Sequence, residues 1–291
     1  MSAAQKIRRE SETREFEFTS GNFQVISDVI RKEAGINLSA TKDSLAYSRL
    51  ANRLRALKMS SFTEYCRLIS GPGGADERLE LLSALTTNVT RFFREPHHFE
   101  DLASVLLPGL VRRARSGGTI RIWSAGCSTG EEPYSLAMTI LAAMPDAAKF
   151  DVRILATDID PRVLNHAGAA LFSDQSLSGL SDERKSKFFR RESDRWRVSK
   201  EVCELVTFGR LNLMEKLPMR GPFDAIFCRN VAIYFDRLVQ QDLWTRFAEK
   251  LAEHGRLYIG QSERVTGPVE TSLKPVGVTT YAFARTCEAD V

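Results

Sequence analysis

The chain has no CxxC pair, only four histidines, and no apolar run near the ~20 residues that a membrane helix needs. Its five cysteines, at 66, 127, 203, 228 and 287, are scattered, which points to a reducing compartment and argues against a zinc site. The amino terminus is charged and lacks the apolar core of a secretory signal. Four basic and four acidic residues fall within its first seventeen, so 1–20 are expected to form a flexible tail. A net charge of +4 over 291 residues is too mild to mark a nucleic-acid binder. These absences lead us to expect a cytoplasmic protein that is not inserted in a membrane and holds no metal; we also expect a monomer.

Two motifs are also missing. No G-x-G-x-x-G follows the first candidate strand, where "IWSAGCSTGEEPYSLAM" (122–138) carries glycines only at 126 and 130. This leaves little reason to place a pyrophosphate on the helix start. The Asn/Asp-Pro-Pro-aromatic motif of amino-group methyltransferases acting on bases is absent as well, because Val231 and Ala232 follow Asn230.

What is present divides the chain. Residues 21–88 read as short helices. One carries Phe23, Ile26, Val29 and Ile30 on one face and stops at Gly35. A second has Ser39 or Thr41 as N-cap and Leu45, Leu50, Leu54 and Leu57 on one side. From about 118 strands alternate with helices. Strands are predicted at 119–125, 151–158, 205–212, 223–230 and 255–262, and helices at 131–144, 161–170 and 236–253, followed by a strand pair around Gly277. That order predicts an α/β fold, a doubly wound sheet with a terminal antiparallel hairpin. The stretch 172–204 is too long for a connection and reads as a small inserted subdomain with a helix at "SDERKSKFF" and strand over "RWRVSKEVCEL".

In such sheets the ligand lies beyond the carboxyl ends of the strands, at the switch in strand order. There the sequence places Glu131 and Glu132 in the first turn of a helix, where the dipole favours carboxylates. They would repel a phosphate and attract an ammonium or sulfonium. Asp158, ending strand two, has the chemistry to accept from both hydroxyls of a ribose, whereas Asp160 before Pro161 reads as an N-cap. Asn212 offers the donor and acceptor that an adenine edge requires, or simply forms a turn. Together these features suggest S-adenosylmethionine, which is cationic and carries no phosphate.

The segments "LTTNVTRFFREPHHF" (85–99), "IWSAGCSTGEEPYSLAM" (122–138), "ATDID" (156–160), "NLMEKLP" (212–218), "GPFDAIFCRNVAIYFD" (221–236) and "GRLYIGQSE" (255–263) resemble the chemotaxis receptor glutamate O-methyltransferases, the CheR family. The resemblance implies an all-α N-terminal domain over 21–88, a linker helix over 89–117, and a class I methyltransferase domain over 118–287 with an inserted β-subdomain. It implies cofactor contacts at Asn88, Thr90, Arg94, Glu132, Asp158, Asn212, Leu213, Arg229 and Asn230. Arg94 and Tyr234 would lie nearest the transferred methyl, S-adenosylhomocysteine would be the product, and the substrate would be the cytoplasmic helical bundle of a methyl-accepting chemoreceptor. Phe92 and Phe93 should anchor the segment bearing Arg94.

A glutamate carboxylate, with a reference pKa of ~4.3, needs no general base, so the lack of a Cys/His or Ser/His pair near these motifs fits the chemistry. Residues 31–67 carry eight Lys/Arg against three Asp/Glu, and Lys42, Arg49 and Arg53 form a stripe that could face an acidic bundle or only solvent. Family members that grip a receptor's tail peptide carry a longer, glycine-containing loop in the inserted subdomain. Here it is "RRESDRW" (190–196), so no tether is expected. Two other readings remain: a methyltransferase of a small molecule or RNA, and a non-catalytic cofactor-binding signalling protein.

Overall fold

The computed structural model describes residues 14–86 and 88–284. Most of the expected tail, Cys287 and the last residues of the expected third domain lie outside them. Two compact units meet in the chain at Thr87 and Asn88.

The first unit is all-helical: α1 (Ser20–Ala34), α2 (Asp43–Leu57), α3 (Phe62–Ser70) and α4 (Ala75–Leu85). A capping box between Thr19 and Asn22 starts α1, and Gly35, at φ 70°, ends it. Ile26 and Ile30, one turn apart, are buried, as are Phe62, Tyr65 and Ile69 of α3. The face of α2 differs from the expected one. A 3-10 turn over Ala40–Lys42 precedes it, and the Ser39 hydroxyl bonds the Thr41 hydroxyl instead of capping the helix. The buried stripe is Ala46, Leu50, Ala51 and Leu54, while Leu45 is exposed. The helix turns its small alanines inward, which a count of leucines does not detect.

The second unit opens with α5 (Pro96–Asp101), a π turn (Leu102–Leu106) and α6 (Leu107–Arg115). Its sheet strands are β1 (Ile120–Ala125), β2 (Val152–Asp158), β6 (Val206–Arg210), β7 (Phe223–Cys228), β8 (Leu251–Ile259), β9 (Leu273–Gly277) and β10 (Thr280–Phe283). Their order is β6-β2-β1-β7-β8-β10-β9, with only β10 antiparallel to its two neighbours. Helices α7 (Glu131–Ala143), α8 (Pro161–Ala169) and α11 (Arg237–Ala248) connect the parallel strands. Successive side chains of a strand face opposite ways. Accordingly, Ile120 and Ile122 enter one core with Ala225, Phe227 and Tyr258, and Trp123 and Ala125 enter the other with Ile226, Leu257 and Trp244. The chain runs outward from β1 through β2 and β6, then returns to β7 beside β1. The crevice at the carboxyl ends of β1 and β7 is therefore the switch point.

Within the expected insertion, β3 (Leu171–Phe172), β5 (Arg195–Val198) and β4 (Phe189–Glu192) form a separate antiparallel sheet behind α9 (Asp182–Phe188). Ser193 and Asp194 make the turn between β4 and β5. Two boundaries are corrected. "KEVC" is a helical turn, α10 (Lys200–Cys203), not strand: Val202 and Leu205, three apart, are both buried, a helical spacing. Strand β8 begins at Leu251, not 255, because Leu251 already pairs with Phe223 before a bulge shifts the register to Ala225 and Arg256.

Candidate functional site

The loop leaving β1 is drawn tight against β2: the Gly126 and Cys127 amides both donate to the Thr157 carbonyl, at 2.8 and 2.9 Å. Gly126 has φ 82°, and a Cβ there would fall 2.3 Å from Cγ2 of Val231, so only glycine lets this loop close on the loop after β7. The segment before α5 lies on the same loop. The Ser128 hydroxyl donates to the Asn88 carbonyl (3.1 Å), and the Phe93 amide donates to Oγ of Ser135 (2.9 Å). Phe92 is buried against Phe172 and Phe189 and Phe93 packs on Phe99, the anchoring expected of them. Thr90 and Arg94 are half-buried on this segment, and Arg94 donates to the Val89 carbonyl at 3.0 Å. No ion pair joins it to Glu95 or Glu100 within the described residues.

Three carboxylates and one guanidinium dominate the electrostatics. Glu132, at the start of α7, accepts from the Ser124 hydroxyl (2.7 Å). Burial pushes its carboxyl above the ordinary range, opposed by Arg229, whose Nη1 lies 3.5 Å away. Arg229, just past β7, also lies 3.6 Å from Glu95, donates to the Arg94 carbonyl and covers the Phe99 ring. Its buried Nε and Nη1 nevertheless have no hydrogen-bond partner, and neither has buried Oδ1 of Asn230 next to it. Asp158 accepts from the Ser128 amide (2.9 Å) and the Asp160 amide (3.0 Å), and burial pushes its carboxyl up. A carboxylate offers about four lone-pair positions, more than the backbone amides around it fill. Asp160 is the N-cap of α8, accepting from the Arg162 amide.

Asn212 and Leu213 follow β6, tied to the site by the Leu211 amide donating to the Asp158 carbonyl. The Asn212 side chain accepts from the Met214 amide, the turn-forming role, and Leu213 is buried in the second core. Tyr234 closes a 3-10 turn over Ala232–Tyr234 and is half-buried.

The basic stripe is different. Arg49 donates to the carbonyls of Ala84, Leu85 and Thr86 at 2.9–3.1 Å, closing the end of α4. Arg53 chelates Glu77 and reaches Glu80 at 3.0 Å. Both guanidiniums are thus engaged within the helical unit, and Lys42 is exposed.

Sequence reasoning passed over Glu95, Ser124, Ser128 and Glu263. Glu95 and Glu263 lie inside quoted motifs, but nothing in their spacing reveals what they touch. One group among the described residues has ligand atoms close enough to hold a cation, Glu95 with His97 and His98. The Arg229 guanidinium beside Glu95 already brings positive charge there. His98 is buried, pairs through Nε2 with Thr279 (2.9 Å), and is pushed down to about 3 by burial and by Arg229.

The unmet chemistry of the crevice suits a zwitterionic amino acid joined to a ribose. Donors without partners on Arg229 match a carboxylate, the bare acceptor of Asn230 matches an ammonium, and the spare lone pairs of Asp158 match hydroxyls. Fold and crevice thus define an S-adenosylmethionine-binding methyltransferase. Residues 88–282 match the family described as CheR methyltransferase, SAM binding domain, and 21–86 match CheR methyltransferase, all-alpha domain. Across 259 residues the chain is 49% identical to a "Probable chemotaxis protein methyltransferase" of Rhizobium etli, covering 88% of this chain and 97% of that one. It is 38% identical to the "Chemotaxis protein methyltransferase" of Salmonella typhimurium over 279 residues (94% and 93%), and 38% to that of Escherichia coli over 278 (94% of each). The chain belongs to the CheR methyltransferase family, and S-adenosylmethionine is its cofactor.

Proposed function

We propose that the protein esterifies glutamate side chains on the cytoplasmic helical bundle of a methyl-accepting chemoreceptor, yielding glutamate methyl esters and S-adenosylhomocysteine. The observation that carries this reading is the setting of His98: it is fully buried with Nε2 bonded to Thr279, and burial and the nearby Arg229 push its affinity for protons down, which makes it a poor base. An acceptor that is already an anion requires none.

When bound, the cofactor supplies a methyl group made electrophilic by a sulfonium. The residues of the chain bind, orient and exclude water. Arg229 and Asn230 take the amino-acid end, Asp158 the ribose, and Asn212 with the Leu213 backbone the base. Asn88 and Thr90 close from the segment before α5. Glu132 contributes negative charge beside the ammonium and sulfonium. Arg94, with one nitrogen fixed on Val89, keeps donors to align the incoming carboxylate. Tyr234, at the end of the 3-10 turn after Asn230, directs its hydroxyl to the acceptor. Because transfer to a carboxylate neutralises both charges, orientation is the main resource, with ~7–11 kcal/mol available from it.

We place the enzyme in the cytoplasm as a monomer; no described helix is long and apolar enough to cross a membrane. Docking through the helical unit falls to Lys42 rather than to Arg49 or Arg53. The two-residue turn of the small sheet favours action without a receptor-tail tether, and micromolar capture by a tail peptide would refute that. The deciding experiment incubates the protein with radiolabelled cofactor and receptor-bearing membranes, then adds base. Volatile methanol is expected; label that stays on the protein, or enters RNA, would overturn the reading.

A further inference from the structure

Glu263, in the turn after β8, is 8% exposed, yet its carboxylate has no cationic partner at ion-pair distance within the described residues. Backbone amides surround it instead. Oε1 accepts from Val231 (3.0 Å) and Ile233 (3.2 Å), and Oε2 accepts from Asn230 (3.0 Å) and Gly260. Three of these four amides belong to the loop between Arg229 and Tyr234. Within that loop Asn230 has φ 60°, in the left-handed region that asparagine tolerates better than most L-residues. The fit is close. A Cβ on Gly260 would come within 2.7 Å of Nδ2 of Asn230 and 2.9 Å of Oε2 of Glu263. On its far side the loop presses Val231 against Gly126 of the cofactor loop.

We propose that Glu263 is a positioning residue for methyl transfer: by gathering the amides of Asn230, Val231 and Ile233 it fixes the Asn230 side chain and the turn that presents Tyr234. This rests on the roles given above to Asn230 and Tyr234. A neutral residue cannot replace it, since an amide has one acceptor oxygen and would turn its NH2 toward amides that also donate. Burial pushes the Glu263 carboxyl up, and the surrounding amides oppose that shift through charge-assisted bonds to the carboxylate.

The test compares Glu263→Gln and Glu263→Asp, alone and with Tyr234→Phe, with rates expressed per S-adenosylhomocysteine-binding site so that unfolded protein does not count. At saturating cofactor and receptor, Glu263→Gln is expected to lower kcat by about tenfold or more with KM for receptor nearly unchanged, and Glu263→Asp to recover part of the loss. If Glu263 acts through Tyr234, the Gln/Phe double variant is no slower than Tyr234→Phe alone, within about twofold. A kcat within about threefold of wild type, or losses that multiply in the double variant, would overturn the proposal. Should the wild type form no base-labile ester, the glutamate reading fails, and Glu263 is judged by S-adenosylhomocysteine affinity alone. About tenfold weaker binding in Glu263→Gln then supports the positioning role, and affinity within about twofold of wild type refutes it.

Discussion

The two ends of β7 each carry a buried charge, and they are satisfied to different degrees. At the amino-terminal end Asp224 accepts from Arg113 (2.5 Å), from His254 (2.8 Å) and from the Arg121 amide (2.8 Å). At the carboxyl end Arg229 faces Glu95 and Glu132 at 3.5–3.6 Å with two nitrogens unbonded. Buried polar groups in folded proteins are nearly always paired, so an incomplete set needs an explanation. The Asp224 cluster binds the base of the sheet together. On the function proposed above, the Arg229 cluster is left incomplete for the cofactor, so one strand would separate a charge placed for stability from a charge placed for a ligand.

The largest effect that sharpens this contrast is on stability. Asp224→Ala leaves the Arg121 amide without its acceptor and frees the half-exposed Arg113 and His254, and should cost about 1–3 kcal/mol in urea unfolding, with cofactor affinity per folded molecule unchanged. Arg229→Met leaves Glu95 and Glu132 without their cation and should abolish measurable S-adenosylhomocysteine binding. Equal losses of binding at both ends would break the comparison. Next, Arg94→Ala should reduce receptor labelling about 100-fold, near 2.7 kcal/mol, while the far-ultraviolet spectrum and cofactor stoichiometry stay as in the wild type.

A smaller effect follows from His98. Its native affinity for protons is pushed down to about 3 from an ordinary 6.5, so the unfolded chain binds the extra proton between those values. Stability from this group is therefore complete above about 6.5 and drains away as pH falls toward about 3. About 2 kcal/mol should be lost between roughly pH 7.5 and pH 5, and His98→Asn should flatten that limb of the urea profile. The smallest change expected is at the Asp158 and Asp160 pair. Asp160→Ala removes an N-cap and should cost about 1 kcal/mol with cofactor binding retained, whereas Asp158→Ala should remove binding. Similar binding losses in both variants would erase the distinction between them.

Motif-level reading went far here because the site is built at the ends of regular elements. The alternation of strands and helices, the terminal antiparallel pair and the capping role of Asp160 all follow from residue type and periodicity. Docking residues were less legible. Lys42, Arg49 and Arg53 share one helix face, but whether a guanidinium meets solvent or the carbonyls of α4 depends on residues 84–86, more than thirty positions away. Glu263 was hidden for a similar reason: its partners are backbone amides, which carry no side-chain signature.

The linear order of residues was enough to determine the alternation of strands and helices, the acidic, phosphate-excluding first turn, and the cofactor that fits it, because those depend on local spacing and charge. Which charges are neutralised and which are left open was decided only by folding. Arg229 stands between Glu95 and Glu132, and Glu263 beneath Asn230, because the carboxyl ends of β1, β7 and β8 converge. Only that convergence brings separated groups within hydrogen-bonding reach and removes the water that would otherwise satisfy them.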